Sequence, residues 1–535
     1  MIVATYNTRR HSGGAAKAAF RLHSALRANG MHAYHLCLSD PSTDPSCVRL
    51  LERETEVSRR IATLKKFWST MAYRALVTEN RTELSSTLFS IEPFGLDVTE
   101  APVSTIARVH HLHWCKGFLS PAVVKYLRAT GKPIFVTLHD QWWMTGGCHY
   151  AANCTNYEDG CVTCPQLRTD VGGLVALAHT EKAAVFKDAT TVIAPSRWMA
   201  DCAKRSIVFR NADIRVVRNP IDVDVYSPLS GESRAQMRAE MGLQQDEVAI
   251  LFGADSITEP RKGFSELIDA LKLANARTHR PLRLIAFGCW RGDTPSVPGI
   301  SMISVDEVKH EQSLAQIYSS ADLLVVPSRE DNYPNTIVES LACGTPVIGF
   351  STGGIVDLVD NNSTGLLADV GNVSQLADAI IAGIDRYVGS TSARARCRET
   401  VAEAHRPENI ARQMISIYAE KSEGFHKPLS EDELSIVTAT SQKNRMGEAT
   451  FARLNMSPTI LNASSVVEAL APLFSTYDNL ERNMTWLQRQ LVTARKAKQR
   501  TKQSAPPSLR ARIMGKLRSL AGRARRRLKR LILSQ

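Results

Sequence analysis

No apolar run in this chain of 535 residues approaches the roughly 18 needed to cross a bilayer, so no membrane-spanning anchor is expected. Residues 1–5 read as a strand and lack the charged, then apolar, then small-residue layout of a secretory leader; a cytoplasmic location is the expectation. No G-x-G-x-x-G follows that strand, which argues against a dinucleotide-binding oxidoreductase. There is no long internal repeat. The eleven cysteines are odd in number and mostly scattered, which suits a reducing compartment better than a disulfide framework. Acidic residues are missing from 482–535, a stretch that holds seventeen Lys and Arg. Taking those seventeen from the net charge of +13 leaves about −4 for the rest, a mildly acidic body with a separate basic tail. No aromatic residue follows Trp486, which weakens single-strand nucleic-acid binding, and no nucleic-acid partner is expected.

The length calls for two core-bearing domains plus an extension, and an apolar fraction of 44% supports globular cores. Short apolar runs alternate with helical patterns, so the class is α/β. Strands are predicted at 2–4, 134–138, 191–194 and 215–217 in the first half, and at 248–252, 282–287, 323–326 and 346–350 in the second. The reading is a Rossmann-like domain over 1–218, a hinge at 219–228 containing Asn219-Pro220-Ile221-Asp222, and a second such domain over 229–404. A helix follows over 405–421, with Ile410, Met414, Ile417 and Tyr418 at helical spacing. Residues 422–460 are polar and poorly periodic and read as a linker, and 461–535 as a helical basic tail. In that tail Leu473, Tyr477, Leu480, Met484, Leu487 and Leu491 form a short heptad seam compatible with a coiled coil and a homo-oligomer. Leu509, Ile513, Leu517, Leu520, Ala524, Leu528 and Leu531 then share one helical face amid arginines. Such a basic amphipathic helix suits an anionic membrane surface, each cation adding about 1 kcal/mol of attraction. A partner helix, nucleic-acid contact and a solvated tail are the competing readings.

Chemistry is densest at 321–354, ADLLVVPSREDNYPNTIVESLACGTPVIGFSTGG, where a strand, a polar loop, a helix and a second strand surround Asp331 and Glu339. Asn335 and Thr336 stand at the helix start, where free backbone N–H groups attract phosphate. One carboxylate can reach a hexose hydroxyl while the other takes two ribose hydroxyls. The plainer reading is a strand and helix with incidental surface acids. Arg261 and Lys262 follow the first strand of the second half, where a fixed cation can stabilise developing negative charge; a solvated loop charge is the alternative. Gly13 and Gly14, between the first strand and first helix, allow close approach of backbone to a diphosphate or acceptor, or simply make a tight turn. His139 and Asp140 follow the strand 134–138, and His113 and Trp114 end another; strand carboxyl ends are where α/β sites gather. A structural His–Asp pair and a core Trp are the alternatives. Cys148, Cys154, Cys161 and Cys164, reading C-x5-C-x6-C-x2-C beside His149, can form a closed zinc site, although the spacing is not that of a common zinc module; free thiols and disulfides stand as alternatives.

From residue 1 to about 424 the chain resembles the family 4 glycosyltransferases, retaining enzymes of the GT-B fold whose donor signature is two acids flanking seven residues, here Asp331 and Glu339. The family usually has Glu first and then a glycine-rich stretch, where this chain has Asp331-Asn332-Tyr333-Pro334-Asn335. It usually also carries an arginine about six residues before the lysine, a position held here by Ser256. The stretch 142–148, WWMTGGC, resembles a subgroup from bacterial exopolysaccharide clusters, colanic-acid-type pathways included. The resemblance implies two Rossmann-like domains facing a cleft, acceptor on the first, nucleotide sugar on the second, and a final helix crossing back. It implies transfer of a hexose from a nucleoside-diphosphate sugar to a lipid-linked or other surface glycan at the inner face of the membrane. Asp331 and Glu339 would hold the donor, Lys262 its diphosphate and His139 the reacting sugar, with His113, Trp114 and Asp140 lining the acceptor side. No metal is expected in the chemistry; zinc at the four cysteines would be structural. A nucleotide-sugar epimerase and a catalytically silent GT-B scaffold are the alternatives.

Overall fold

The structure, a computed structural model, describes residues 2–456 except 39–43, 53–61, 63–64, 67, 100, 171–172, 187–189, 291–296, 309, 423–426 and 446–449. The heptad seam and the basic amphipathic tail therefore lie outside the described residues. Among those described, no helix is long and apolar enough to cross a membrane.

Among the described residues fifteen strands form two sheets. In chain order they are β1 (Ile2–Tyr6), β2 (His32–Cys37), β3 (Cys47–Glu52), β4 (Phe94–Asp97), β5 (Val109–Leu112), β6 (Ile134–Thr137), β7 (Thr190–Ala194), β8 (Asp213–Val216), β9 (Val248–Ser256), β10 (Leu282–Cys289), β11 (Ser301–Val305), β12 (Leu323–Val326), β13 (Val347–Phe350), β14 (Gly365–Ala368) and β15 (Thr450–Met456). The first sheet runs β4-β15-β3-β2-β1-β5-β6-β7-β8 and the second β11-β10-β9-β12-β13-β14. Every pairing is parallel except β15 with β4. Central strands such as β1 (IVATY) and β12 (LLVV) are buried along their whole length, as parallel strands covered on both faces must be. In both sheets the order reverses beside the first strand of the domain, between β1 and β5 and between β9 and β12. Loops leaving the strand ends diverge at such a switch point and open a crevice, and the two crevices face each other across the domain boundary.

The helix Pro407–Lys421 returns to the first domain. Its buried stripe of Ile410, Ala411, Met414, Ile417 and Tyr418 shares one core cluster with Val3, Leu26, Val109 and Phe135. Lys421 to Asp213 at 2.8 Å and Glu420 to Arg215 at 3.0 Å fasten its end to β8. Outgoing and returning chains run together at the hinge, where the Ile221 amide donates to the His405 carbonyl at 3.0 Å.

The expected linker is corrected. Residues 422–460 contain a helix, Glu431–Arg445, and the strand β15, which inserts between β3 and β4. Helix start chemistry explains the miss: the Glu433 amide donates to the Ser430 hydroxyl while the Glu433 carboxylate accepts from the Ser430 amide, a reciprocal S-x-x-E cap. Arg108 holds Glu433 at 2.7 Å and docks this helix on the first domain. Weak apolar periodicity concealed a helix held by its cap and an ion pair.

Met414 is fully buried at the centre of the crossing helix's stripe. Met414→Ala should lower unfolding free energy by about 2–5 kcal/mol, read as a reduced urea midpoint at unchanged slope.

Candidate functional site

β12 ends at Val326, and the loop after it enters the cleft with Glu330, Asp331 and Asn332 before the helix Asn335–Ala342 begins. Asp331 is buried, and its Oδ2 accepts from Lys262 Nζ at 2.7 Å and lies 3.2 Å from an Arg261 guanidinium nitrogen. Burial alone would push this carboxyl up, but Lys262 and Arg261 outweigh it and hold the pKa at about 2. Arg261 also donates to the Glu330 carbonyl at 2.7 Å and lies over the Tyr150 ring at 4.1 Å. A second cation, Arg261, thus stands beside Lys262 at the same carboxylate oxygen. Gly263 makes this possible: it sits at φ 72°, and a Cβ there would lie 1.8 Å from the Pro327 carbonyl oxygen.

Glu339, on the inner face of that helix, is buried and accepts from Arg21 at 2.9 Å and from the Tyr318 hydroxyl at 3.0 Å. Arg21 comes from the helix Gly14–Ala28 of the other domain and also bonds Glu311 Oε1 and, at 3.1 Å, the Tyr226 hydroxyl. Burial disfavours its charge, but Glu339, Tyr226 and Glu311 together push its pKa up, so the guanidinium stays ionised. The signal for Arg21 was available: it lies seven residues beyond Gly14, two turns along one helical face. Gly13 and Gly14 stand at that helix's N-terminus, and the Gly14 carbonyl accepts from Asn335 Nδ2 at 3.0 Å. Asn335 and Thr336 open the opposing helix, which has no side-chain cap at its N-terminus. The starts of two helices, one per domain, therefore meet at Gly14 and Asn335, with Asp331 and its cations four residues before the second helix.

On the first domain His139 follows β6. It is part of a ladder in which Tyr418 meets His111 at 2.6 Å, the tilted rings of His111 and His113 lie 4.2 Å apart between centroids, and His113 Nδ1 meets His139 Nε2 at 3.0 Å. Burial lowers the His139 pKa to about 4 despite the opposing pull of Asp140, so the ring is a neutral hydrogen-bonding group near neutral pH. His113 is 1% exposed and stands behind His139 rather than lining the acceptor wall. Asp140 and Trp114, expected at the acceptor, bond inward: the Asp140 carboxylate accepts from Trp114 Nε1 at 2.8 Å, the Trp142 amide at 2.9 Å and lies 2.6 Å from His149 Nδ1. Burial raises the Asp140 pKa and His149 with these donors more than reverses it, so the pair braces the loop.

The same loop reaches across the cleft. Tyr150 hydroxyl approaches Asp331 Oδ1 at 3.4 Å, the Ala152 amide donates to Glu330 Oε2 at 2.9 Å, and Asn332 Nδ2 donates to the Leu138 and His139 carbonyls at 2.8 and 3.1 Å. Gly354 packs from the other side, where a Cβ would lie 1.7 Å from the Asn332 carbonyl oxygen. Sequence reasoning found neither Tyr150, Asn332 nor Glu330, whose roles depend on the meeting of two domains. All four cysteines, Cys148, Cys154, Cys161 and Cys164, lie in this loop as free thiols around one small cavity.

Residues 247–386 match the model of the Glycosyl transferases group 1 domain. The chain is 30% identical over 194 residues to a D-inositol 3-phosphate glycosyltransferase of Mycobacteroides abscessus, covering 34% of this chain and 42% of that protein. The match spans 42–55% of the length of the first curated relatives. Among solved structures, sucrose-phosphate synthase from Thermosynechococcus elongatus aligns with 78% of this chain and 98% of its own at TM-score 0.52 and 20% identity. Anabaena HepE in complex with UDP and glucose aligns over 78% and 100% at TM-score 0.50 and 15% identity. The fold is GT-B, two Rossmann-like domains facing a cleft, and its second domain is of the Glycosyl transferases group 1 type.

Arg21→Ala should cost roughly 3–5 kcal/mol, because it leaves Glu339 buried without its cation, and Glu339→Gln in that background should recover part of the loss in chemical denaturation. Stability should also fall in mild acid. His23, His35, His110, His111, His113, His139, His179 and His405 are all held below the ordinary 6.5 by burial, several to about 4. Below pH 6.5 the unfolded chain takes up protons that these rings refuse, at a limit of about 1.4 kcal/mol per pH unit for each. The melting temperature should be level above pH 6.5 and decline steeply towards pH 4.

Proposed function

We propose that this protein is a retaining glycosyltransferase that moves a hexose from a nucleoside-diphosphate sugar to a lipid-linked or other surface glycan. The observation that carries the reading is the arrangement of Asp331 and Glu339, buried at the switch-point cleft with Lys262, Arg261 and Arg21, beside two helix N-termini that meet at Gly14 and Asn335. A diphosphate supplies the anion that such cations and N–H groups receive, and a ribose and a hexose supply hydroxyls for the carboxylates. The UDP and glucose held by HepE and the group 1 match of the second domain support a nucleotide-sugar donor.

In this reading the bond between the anomeric carbon and the phosphate oxygen breaks, and the acceptor oxygen bonds that carbon on the same face. The acceptor proton passes to the departing phosphate. Lys262 and Arg261 stabilise the charge that develops on the leaving diphosphate, and the neutral His139 ring orients a sugar hydroxyl. The exopolysaccharide setting and membrane contact rest on the WWMTGGC stretch and on the basic face of 508–533.

Thermal-shift titration against UDP, GDP and their sugars should show one base stabilising the protein with rising concentration, and Glu339→Ala should abolish that shift. Lys262→Ala should lower kcat by about 10²–10³ with a smaller change in KM. Undiminished glycan synthesis in cells carrying Glu339→Ala would establish the scaffold instead, and donor consumption without an acceptor would establish an epimerase. Vesicle flotation with and without residues 508–535 tests the tail, where equal binding defeats the membrane contact.

A further inference from the structure

We propose that Cys148, Cys154, Cys161 and Cys164 bind one zinc ion that locks the loop joining the two domains across the cleft. All four side chains line the same cavity, and none forms a disulfide. Their sulfurs sit where backbone donors gather: the Gly146 amide donates to Cys161 Sγ at 3.3 Å, the Asn156 amide to Cys154 Sγ at 3.5 Å, and the Gln166 and Leu167 amides face Cys164. Backbone N–H groups so placed are outer-shell partners for metal-bound sulfur.

Charge and backbone point the same way. Four thiolates around a divalent ion leave two negative charges, at a place where Cys161 is buried and Cys148, Cys154 and Cys164 are partly buried. The ammonium of Lys182, itself 2% exposed, is held nearby by the Trp142 and Thr145 carbonyls at 2.6 and 2.8 Å. Among the described residues the non-glycine positions with positive φ are Ala152 at 52°, Asn153 at 65° and Cys161 at 55°. All three lie between the first and last of these cysteines, a concentration of unfavourable backbone that a crosslink would hold.

His23, Asp44 and Cys47 are, among the described residues, the three whose ligand atoms already lie within 4.8 Å of one another. That cluster is bonded internally: Asp44 Oδ1 accepts from the Ser46 amide and hydroxyl at 2.8 and 2.7 Å, and Ser46 Oγ meets His23 Nε2 at 3.0 Å. The four thiols do not yet converge to that degree. A zinc with bonds of about 2.3 Å would draw its sulfurs to roughly 3.8 Å from one another. Such tightening acts on Tyr150 and Ala152, which meet Asp331 and Glu330 across the cleft.

The test is metal analysis of the full-length protein, purified without added metal. One zinc per chain is expected, and exchange with cobalt should produce the charge-transfer and visible bands of a tetrahedral thiolate site. Cys161→Ser with Cys164→Ser should lose both signals, while Cys47→Ser keeps them. Less than about one-tenth zinc per chain together with an oxygen-ligated cobalt spectrum overturns the proposal, as does a disulfide among the four found by mass spectrometry. Loss of metal in Cys47→Ser but not in the paired variant transfers the site to His23 and overturns it equally. Should the paired variant fail to fold, zinc content and the cobalt spectrum of the unaltered protein still decide.

Discussion

The buried charge of Asp331 is the constraint on which the cleft depends. An ionised carboxylate in a protein interior costs several kcal/mol unless paired and hydrogen-bonded, and here Lys262 and Arg261 both converge on one of its oxygens. Satisfying it fixes the loop after β12, and that loop is where the molecule is joined. Asn332 reaches the carbonyls of Leu138 and His139, Glu330 takes the Ala152 amide, and Gly354 closes the far side. Under the function proposed above, a phosphate would meet cations already oriented by a carboxylate, with little reorganisation left to make. Glu339 and Arg21 repeat the device, with the acid from the second domain and the cation from the first.

A second continuous path runs from the crossing helix to the cleft. Tyr418 caps His111, and His111, His113 and His139 follow one another to the strand ends. Burial keeps these rings neutral, so the path supplies direction and rigidity, not charge. It makes the docking of a C-terminal helix a condition for the orientation of His139. This gives a physical reason for the chain to return to its first domain after completing its second.

Much of the fold was legible. The strands at 134–138, 248–252 and 323–326 were found to within a few residues because parallel strands buried on both faces are written as unbroken apolar runs. The helix Pro407–Lys421 was found because its stripe is regular. The helix Glu431–Arg445 and β15 were missed, since a reciprocal cap and an ion pair hold the one and strand pairing the other, and neither leaves strong periodicity. Asp331, Glu339 and Lys262 could be picked out by spacing within a single strand-loop-helix unit. Tyr150 and Asn332 could not, because their partners lie 181 to 194 residues away across the domain boundary, and the helical spacing that put Arg21 on the face of Gly14 gave no sign of Glu339, 318 residues on.

By itself the sequence determined that the chain is α/β, that it has two halves, and that two acids eight apart stand behind a buried strand, because local period and spacing carry that information. It also determined a four-cysteine loop and a basic, acid-free tail, which are matters of composition. Only the tertiary structure decided that Arg261 joins Lys262 at Asp331, that Asp140 bonds Trp114, Trp142 and His149, and that Arg21 crosses the cleft to Glu339. Those outcomes depend on which buried charges find partners once two domains close on each other, and pairing between distant segments has no periodic signature in the chain.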